Sequence, residues 1–169
     1  MTNTALELDI SSLRDTARLG AALAESLAAP PPIPLFLRGA LGAGKTTLIR
    51  FLAGALPGGQ EAEISSPSFT LCNVYPTVPE TRHFDLYRLE AGQAPEELME
   101  ALEAPPWKRP LVLAEWPDRL PPELLPPDCL HCRLTWEKNH RRAFLEADGK
   151  AAAVRLALLR AAMLRQSEG

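Results

Sequence analysis

The residues best equipped for chemistry fall in one short run. Gly39, Ala40, Leu41, Gly42, Ala43, Gly44, Lys45 and Thr46 satisfy G-x-x-x-x-G-K-[ST] at every fixed position. Gly42 and Gly44 let the backbone curl until successive N–H groups face inward as an anion nest. A helix expected from about Lys45 points the positive end of its dipole at the same place. In such a loop Lys45 reaches the β- and γ-phosphates of a nucleoside triphosphate, and the Thr46 hydroxyl ligates Mg²⁺. A second run, Leu111-Val112-Leu113-Ala114-Glu115, is apolar until its final acid. A strand apolar on both faces belongs inside a covered parallel sheet, and open α/β sheets bind ligands at the carboxyl ends of such strands. Glu115 is therefore placed to hold the nucleotide's Mg²⁺, directly or through water, as a Walker B acid does. The plainer alternative is a loop glutamate.

The flanking segments are those a phosphate loop needs. Ile33-Pro34-Leu35-Phe36-Leu37-Arg38 reads as a strand just before it and Leu48-Ile49-Arg50-Phe51-Leu52-Ala53 as a helix just after. Upstream, Leu6, Leu8 and Ile10 alternate with Glu7 and Asp9 as a half-buried strand. Ser11 and Ser12 are N-cap candidates for a helix running to about Ala28, with Leu13, Ala17, Ala21, Ala24 and Leu27 as its apolar face. Downstream, residues 70–75 and 81–87 alternate as strands and residues 95–104 form a short acidic helix. Residues 129–135 and 142–146 make a late antiparallel pair, and residues 150–166 a terminal helix. The sum is an α/β, three-layer P-loop NTPase-like fold: a central mostly parallel sheet, flanking helices and the late antiparallel pair. Residues 1–169 read as a single P-loop nucleotide-binding domain.

Composition narrows the classes. Hydrophobic and charged contents of 46% and 23% are those of a water-soluble globular chain. No apolar run approaches a membrane span, and Met1-Thr2-Asn3-Thr4 does not begin an export signal, so a cytoplasmic protein is expected. The net charge of −3 divides into −7 over residues 1–132 and +4 over residues 133–169, which argues against a strong nucleic-acid binder. Arg155, Arg160 and Arg165 step by five and fan around the last helix. Cys129-Leu130-His131-Cys132 suggests zinc, but residues three apart on a strand face opposite ways, so two structural cysteines are expected there.

Four blocks together resemble the TsaE (YjeE) family of bacterial P-loop ATPases, which support threonylcarbamoyl-adenosine formation on tRNA. They are Leu37 through Leu48 around the phosphate loop, Ser66-Pro67-Ser68-Phe69-Thr70-Leu71, His83-Phe84-Asp85-Leu86-Tyr87-Arg88-Leu89, and Glu115-Trp116-Pro117, spread over about residues 37–120. The resemblance implies that Gly39, Ala40, Leu41, Gly42, Ala43, Gly44, Lys45, Thr46 and Thr47 bind the triphosphate of ATP. It implies Thr46 and Glu115 on Mg²⁺ with Asp85 beside the metal, and residues 66–70, including Ser68 and Thr70, as a switch segment near the γ-phosphate. It also puts Trp116 beside the site and the N-terminal helix, at Thr16, over the base. Asp85 pairing merely with Arg88, and Trp116 merely packing, are the alternatives. Two departures stand out: Ser68 replaces the family's usual threonine, and residues 100–109 follow the family pattern poorly.

The implied chemistry is Mg²⁺-dependent ATP hydrolysis, with Lys45, the metal and the loop N–H groups neutralising phosphate charge and Asp85 or Glu115 orienting the attacking water. No arginine finger stands out; Arg88 and a partner's arginine are both open. The implied partners are a TsaB–TsaD complex, with indirect contact to tRNA. Two rivals remain at this stage. A small-molecule P-loop kinase would carry an arginine-rich lid, where residues 96–103 are acidic. A non-hydrolysing nucleotide switch would dock a partner on ATP binding alone.

Overall fold

Along β2 (Leu35–Arg38) and β5 (Leu111–Glu115), Leu35, Leu37, Leu111 and Leu113 face one helical layer, while Phe36, Val112 and Ala114 face the other. This two-sided burial fixes both strands at the centre of a sheet. The computed structural model describes residues 4–166, so the first three residues of the segment tested for an export signal lie outside it. The remaining strands are β1 (Ala5–Asp9), β3 (Cys72–Tyr75), β4 (Thr81–Asp85), β6 (Cys129–Glu137) and β7 (His140–Asp148). They join one seven-stranded sheet in the order β1-β7-β6-β2-β5-β4-β3. The four central strands, β6, β2, β5 and β4, run parallel; β7, β1 and β3 are added antiparallel at the margins.

Helices α1 (Leu13–Leu27), α2 (Lys45–Ala55) and α4 (Lys150–Arg165) cover one face, and α3 (Glu96–Glu103) packs Leu98 and Ala101 on the other. Ser12 caps α1 in a capping box with Asp15, an arrangement worth about 1 kcal/mol. The inward face of α1 matches the expected one at Ala24 and Leu27 and departs from it over the earlier turns. Thr16, Leu19, Gly20, Leu23, Ala24 and Leu27 are buried, whereas Leu13 is 65% exposed and Ala21 also faces out. The cause is the approach of α2: a Cβ on Gly20 would stand 2.6 Å from the Phe51 Cβ, so the helices meet where α1 has no side chain. An alanine-rich helix presents several stripes of similar hydrophobicity, and this contact selects among them. The strand expected over residues 81–87 ends at Asp85, where Tyr87 N–H donates to the Asp85 carboxylate and the chain turns.

The three late arginines have separate tasks. Arg155 donates to the carbonyls of Ala29 and Pro31, Arg160 to that of Ala5, and Arg165 to Glu25. Cys132 lies in the core beneath α1, α2 and α4, and Cys129 in the core beneath α3. Their thiols point to opposite faces of the sheet and cannot share a metal. Burial pushes the thiols of Cys129 and Cys132 up to about 12 and that of Cys72 up to about 11. Because the folded values are raised, the protonated thiols stabilise the fold fully below the unfolded thiol pKa, and that contribution falls as pH climbs from there toward the folded values. At pH 8, iodoacetamide is expected to leave all three cysteines unmodified in the native protein and to modify all three in denaturant, with mass spectrometry counting the adducts. Rapid native labelling of Cys129 or Cys132 would contradict this packing.

Candidate functional site

The site forms where β2, β4 and β5 end at the same edge. Leu37 is registered with Glu115, and Glu115 with Asp85. The loop that leaves β2 therefore starts level with both acids. Three glycines make the loop possible, Gly42 among them with φ 78°. Gly39 has φ 148° and a Cβ there would stand 2.7 Å from the Leu134 carbonyl; Gly44 has φ 104°. Gly44 is also the N-cap of α2 and offers no side-chain cap, so the first N–H groups of the helix stay open to an anion. A cavity of about 390 Å³ sits over this helix start, lined by residues of the loop together with Ser66, Ser68, Asp85, Glu115, Trp116 and Arg141.

Lys45 bends back over its own loop. Its Nζ donates to the carbonyls of Gly39 at 2.7 Å and Ala40 at 3.0 Å and lies 4.4 Å from the centre of the Trp116 ring. Burial lowers the Lys45 pKa, against the opposing pull of Glu115 and Asp85. Trp116 itself has φ 61°, a left-handed conformation that a bulky side chain rarely takes and that costs about 1–3 kcal/mol. This strained turn, tied by Trp116 N–H to the Leu37 carbonyl, carries the indole over Lys45, with Tyr87 packed 4.9 Å away.

The two acids have different surroundings. Asp85 accepts from Ser66 Oγ at 3.0 Å and Ser68 Oγ at 3.2 Å, so the serine-rich segment is fastened to it. Arg88 does not pair with Asp85; its guanidinium lies over the Phe69 ring. Glu115 is 3% exposed, and its Oε1 accepts from Thr46 Oγ1 at 3.0 Å and from His83 Nε2 at 2.8 Å. A hydroxyl and two carboxylates at one helix start are hard oxygen donors of the kind Mg²⁺ takes, and the Thr46–Glu115 contact holds two of them as neighbours. Thr70 lies outside the cavity, its hydroxyl on Asn73. Thr16 is buried with its hydroxyl bonded to the Ser12 carbonyl, also away from the cavity.

His83 and Tyr75 are the partners that motif reading does not assign. His83 is fully buried, with Nδ1 2.9 Å from Tyr75 Oη and Nε2 on Glu115. Tyr75 Oη also lies 2.9 Å from the Ser65 carbonyl, which Asn73 Nδ2 serves as well. Tyr75 has one hydroxyl proton to share between the Ser65 carbonyl and Nδ1, and Asn73 Nδ2 gives that carbonyl a second donor. A sequence signal existed for His83, since it sits two residues before Asp85 and so shares its face of β4. A relay of this kind stabilises Glu115 in place. His83→Leu is expected to cost about 1–3 kcal/mol by leaving a buried carboxylate short of a donor. Adding Glu115→Leu is expected to return much of that cost. Urea unfolding of the single and double variants measures both, and additive losses would contradict the coupling.

The comparisons with known proteins come to the same place. The model of the TsaE family, described as threonylcarbamoyl adenosine biosynthesis protein TsaE, matches residues 10–144. A tRNA threonylcarbamoyladenosine biosynthesis protein TsaE from Synechocystis is 35% identical over 127 residues, covering 72% of this chain and 76% of that one. Its namesake from Aquifex aeolicus is 38% identical over 103 residues, covering 60% and 76%. The crystal structure of Bacillus subtilis YdiB superposes with a TM-score of 0.69 at 25% identity, covering 96% of each chain. By its family match, its relatives and its fold, this chain belongs to the TsaE family.

Proposed function

We propose that this protein binds ATP with Mg²⁺ and hydrolyses it in the service of threonylcarbamoyl-adenosine formation on tRNA, acting as one nucleotide-binding domain beside a TsaB–TsaD complex. The observation that carries the reading is the Thr46–Glu115 hydrogen bond at the open start of α2, with Lys45 and Asp85 lining the same cavity. In this reading Gly39, Ala40, Leu41, Gly42, Ala43, Gly44 and Thr47 cradle the phosphates through their backbone, and Lys45 leaves its loop carbonyls to meet the β- and γ-oxygens. Thr46, Glu115 and Asp85 would hold Mg²⁺, which when bound neutralises charge on the phosphate oxygens. Asp85, gripped by Ser66 and Ser68, links the acid edge to the segment that would sense the γ-phosphate through Ser68, while Thr70, turned to Asn73, would stay out of that contact. Trp116 covers Lys45 and shields it from water.

The acidic helix α3 packs on the far face and does not line the cavity, which favours hydrolysis over a kinase with a lid. No helix among the described residues is long and apolar enough to cross a membrane. Work on tRNA calls for the cytoplasm, and contact with tRNA itself would run through the partners.

Two measurements test the proposal. Purified protein is expected to turn over ATP slowly, faster when TsaB and TsaD are added, and not at all once Mg²⁺ is chelated; turnover indifferent to the partner pair would count against it. Glu115→Gln keeps the hydrogen-bonding shape but not the charge. It should bind ATP within about threefold of wild type and lose hydrolysis by about a hundredfold or more, the scale of one charge-stabilising group. If that variant still supports tRNA modification in cells, ATP acts as a docking switch and the hydrolytic step is dispensable.

A further inference from the structure

Where β6 and β7 part at the open end of their hairpin, three side chains of different chemistry converge. Cys129 is registered with Asp148 across the pair, and His131, two residues along β6, shares their face of the sheet. His131 Nε2 lies 3.4 Å from Cys129 Sγ and 3.0 Å from Asp148 Oδ2. A sulfur, a ring nitrogen and a carboxylate oxygen thus all lie within 4.8 Å of one another. The thiol end is closed: Cys129 is fully buried beneath α3, and the His131 ring stacks on Phe36 with centres 5.8 Å apart. The carboxylate end is open, the Asp148 side chain being 69% exposed. None of the three lines the nucleotide cavity. Arg38 Nη1 donates to His131 Nδ1 at 2.7 Å, so the proton of the neutral ring sits on Nε2, where one N–H faces both the carboxylate and the sulfur.

A divalent ion serves all three groups at once. Zinc takes thiolate at about 2.3 Å and imidazole or carboxylate at about 2.0–2.2 Å, which at tetrahedral angles sets ligand atoms about 3.4–3.6 Å apart. The Nε2–Sγ and Nε2–Oδ2 separations fall within about half an ångström of that spacing. We propose that Cys129, His131 and Asp148 form a zinc site that fastens the open end of the β6–β7 hairpin, with water in the fourth position. The mixed sulfur, nitrogen and oxygen set favours Zn²⁺ over Mg²⁺, which takes oxygen. On binding, the thiol proton leaves to water and the ring proton passes from Nε2 to Nδ1. Arg38 then turns from Nδ1 and keeps Asp118, which its Nε already holds at 2.9 Å. The site does not depend on the nucleotide reading given above.

The test is titration of the full chain, freed of metal and kept reduced, with Co²⁺ and then with Zn²⁺. Cobalt stands in for zinc and gives a thiolate-to-metal charge-transfer band when a cysteine binds it. Wild type is expected to take up one equivalent with that band, and zinc to abolish the band by displacement. Cys129→Ala should remove the band, and Cys132→Ala should keep it. His131→Ala and Asp148→Asn should each weaken cobalt by about tenfold or more. A metal held by Thr46, Asp85 and Glu115 has no sulfur and gives no such band, so the two sites are read separately. Wild type without the band at saturating cobalt would overturn the proposal and leave the three side chains as a hydrogen-bonded fastening. A band that survives in Cys129→Ala would overturn it as well. Circular dichroism checks the fold of each variant. Should Cys129→Ala not fold, Asp148→Asn carries the comparison at an exposed position, and unchanged cobalt affinity there would overturn the three-ligand site.

Discussion

A carboxylate buried at the end of a central strand sets the terms for everything around it. Glu115 is nearly closed off from water, and a charge in that position is tolerable only with donors on it. One donor, Thr46, comes from the first turn of α2; the other, His83, from the neighbouring strand β4. The acid therefore ties three elements together at one point: the loop and its helix, the strand before Asp85, and its own strand. Register does the rest. With Leu37 and Asp85 both aligned on Glu115, the loop begins level with the acids, and a slip of one residue in either pairing would turn an acid to the opposite face.

Around that carboxylate two features are costly, the burial of Lys45 and the backbone of Trp116. Lys45 is desolvated and satisfies itself on two carbonyls of its own loop, contacts it must give up to engage a phosphate. Trp116 sits in a backbone conformation that nothing in its side chain favours. Both features raise the free energy of the resting site. Strain of this sort persists where the frame around it is rigid, and here the frame is the pair of two-sided strands β2 and β5 with three helices packed over one face.

How far the sequence revealed this site depends on the distance over which each signal acts. The phosphate loop was legible because its conformation demands glycines at fixed spacing, a purely local requirement. Glu115 was legible because five residues of uniform hydrophobicity ending in an acid describe a central strand and its exit. Period-two alternation found the strands but not their neighbours; nothing local to residues 5–9 says that β1 pairs with β7. The face of α1 was legible at Ala24 and Leu27 but not in its first turns, because alanine-rich stripes look alike until Gly20 meets Phe51. The place of His83 on the face of Asp85 was legible, but the Tyr75–His83–Glu115 chain and the reach of Arg141 to Gly44 were not. They join segments that touch only once the sheet has formed, His83 and Glu115 being 32 residues apart along the chain.

The cations around the cavity are held without a carboxylate partner, as are Arg133 over Phe144 and the carbonyl-bound Arg155 and Arg160 elsewhere on the molecule. Arg38, Arg82, Arg142 and Arg165 are paired with carboxylates, as surface cations commonly are. Lys45, Arg88 and Arg141 instead rest on aromatic rings, those of Trp116, Phe69 and Trp136. A carboxylate partner would fix such a side chain but cancel its charge. A ring fixes it, at a gain of about 0.5–2 kcal/mol, and leaves the charge uncancelled. All three line one cavity with Asp85 and Glu115, so uncancelled positive charge and two acids share its wall. The aromatic residues thus belong to the electrostatics of the cavity as much as to its packing: they keep charge both positioned and available.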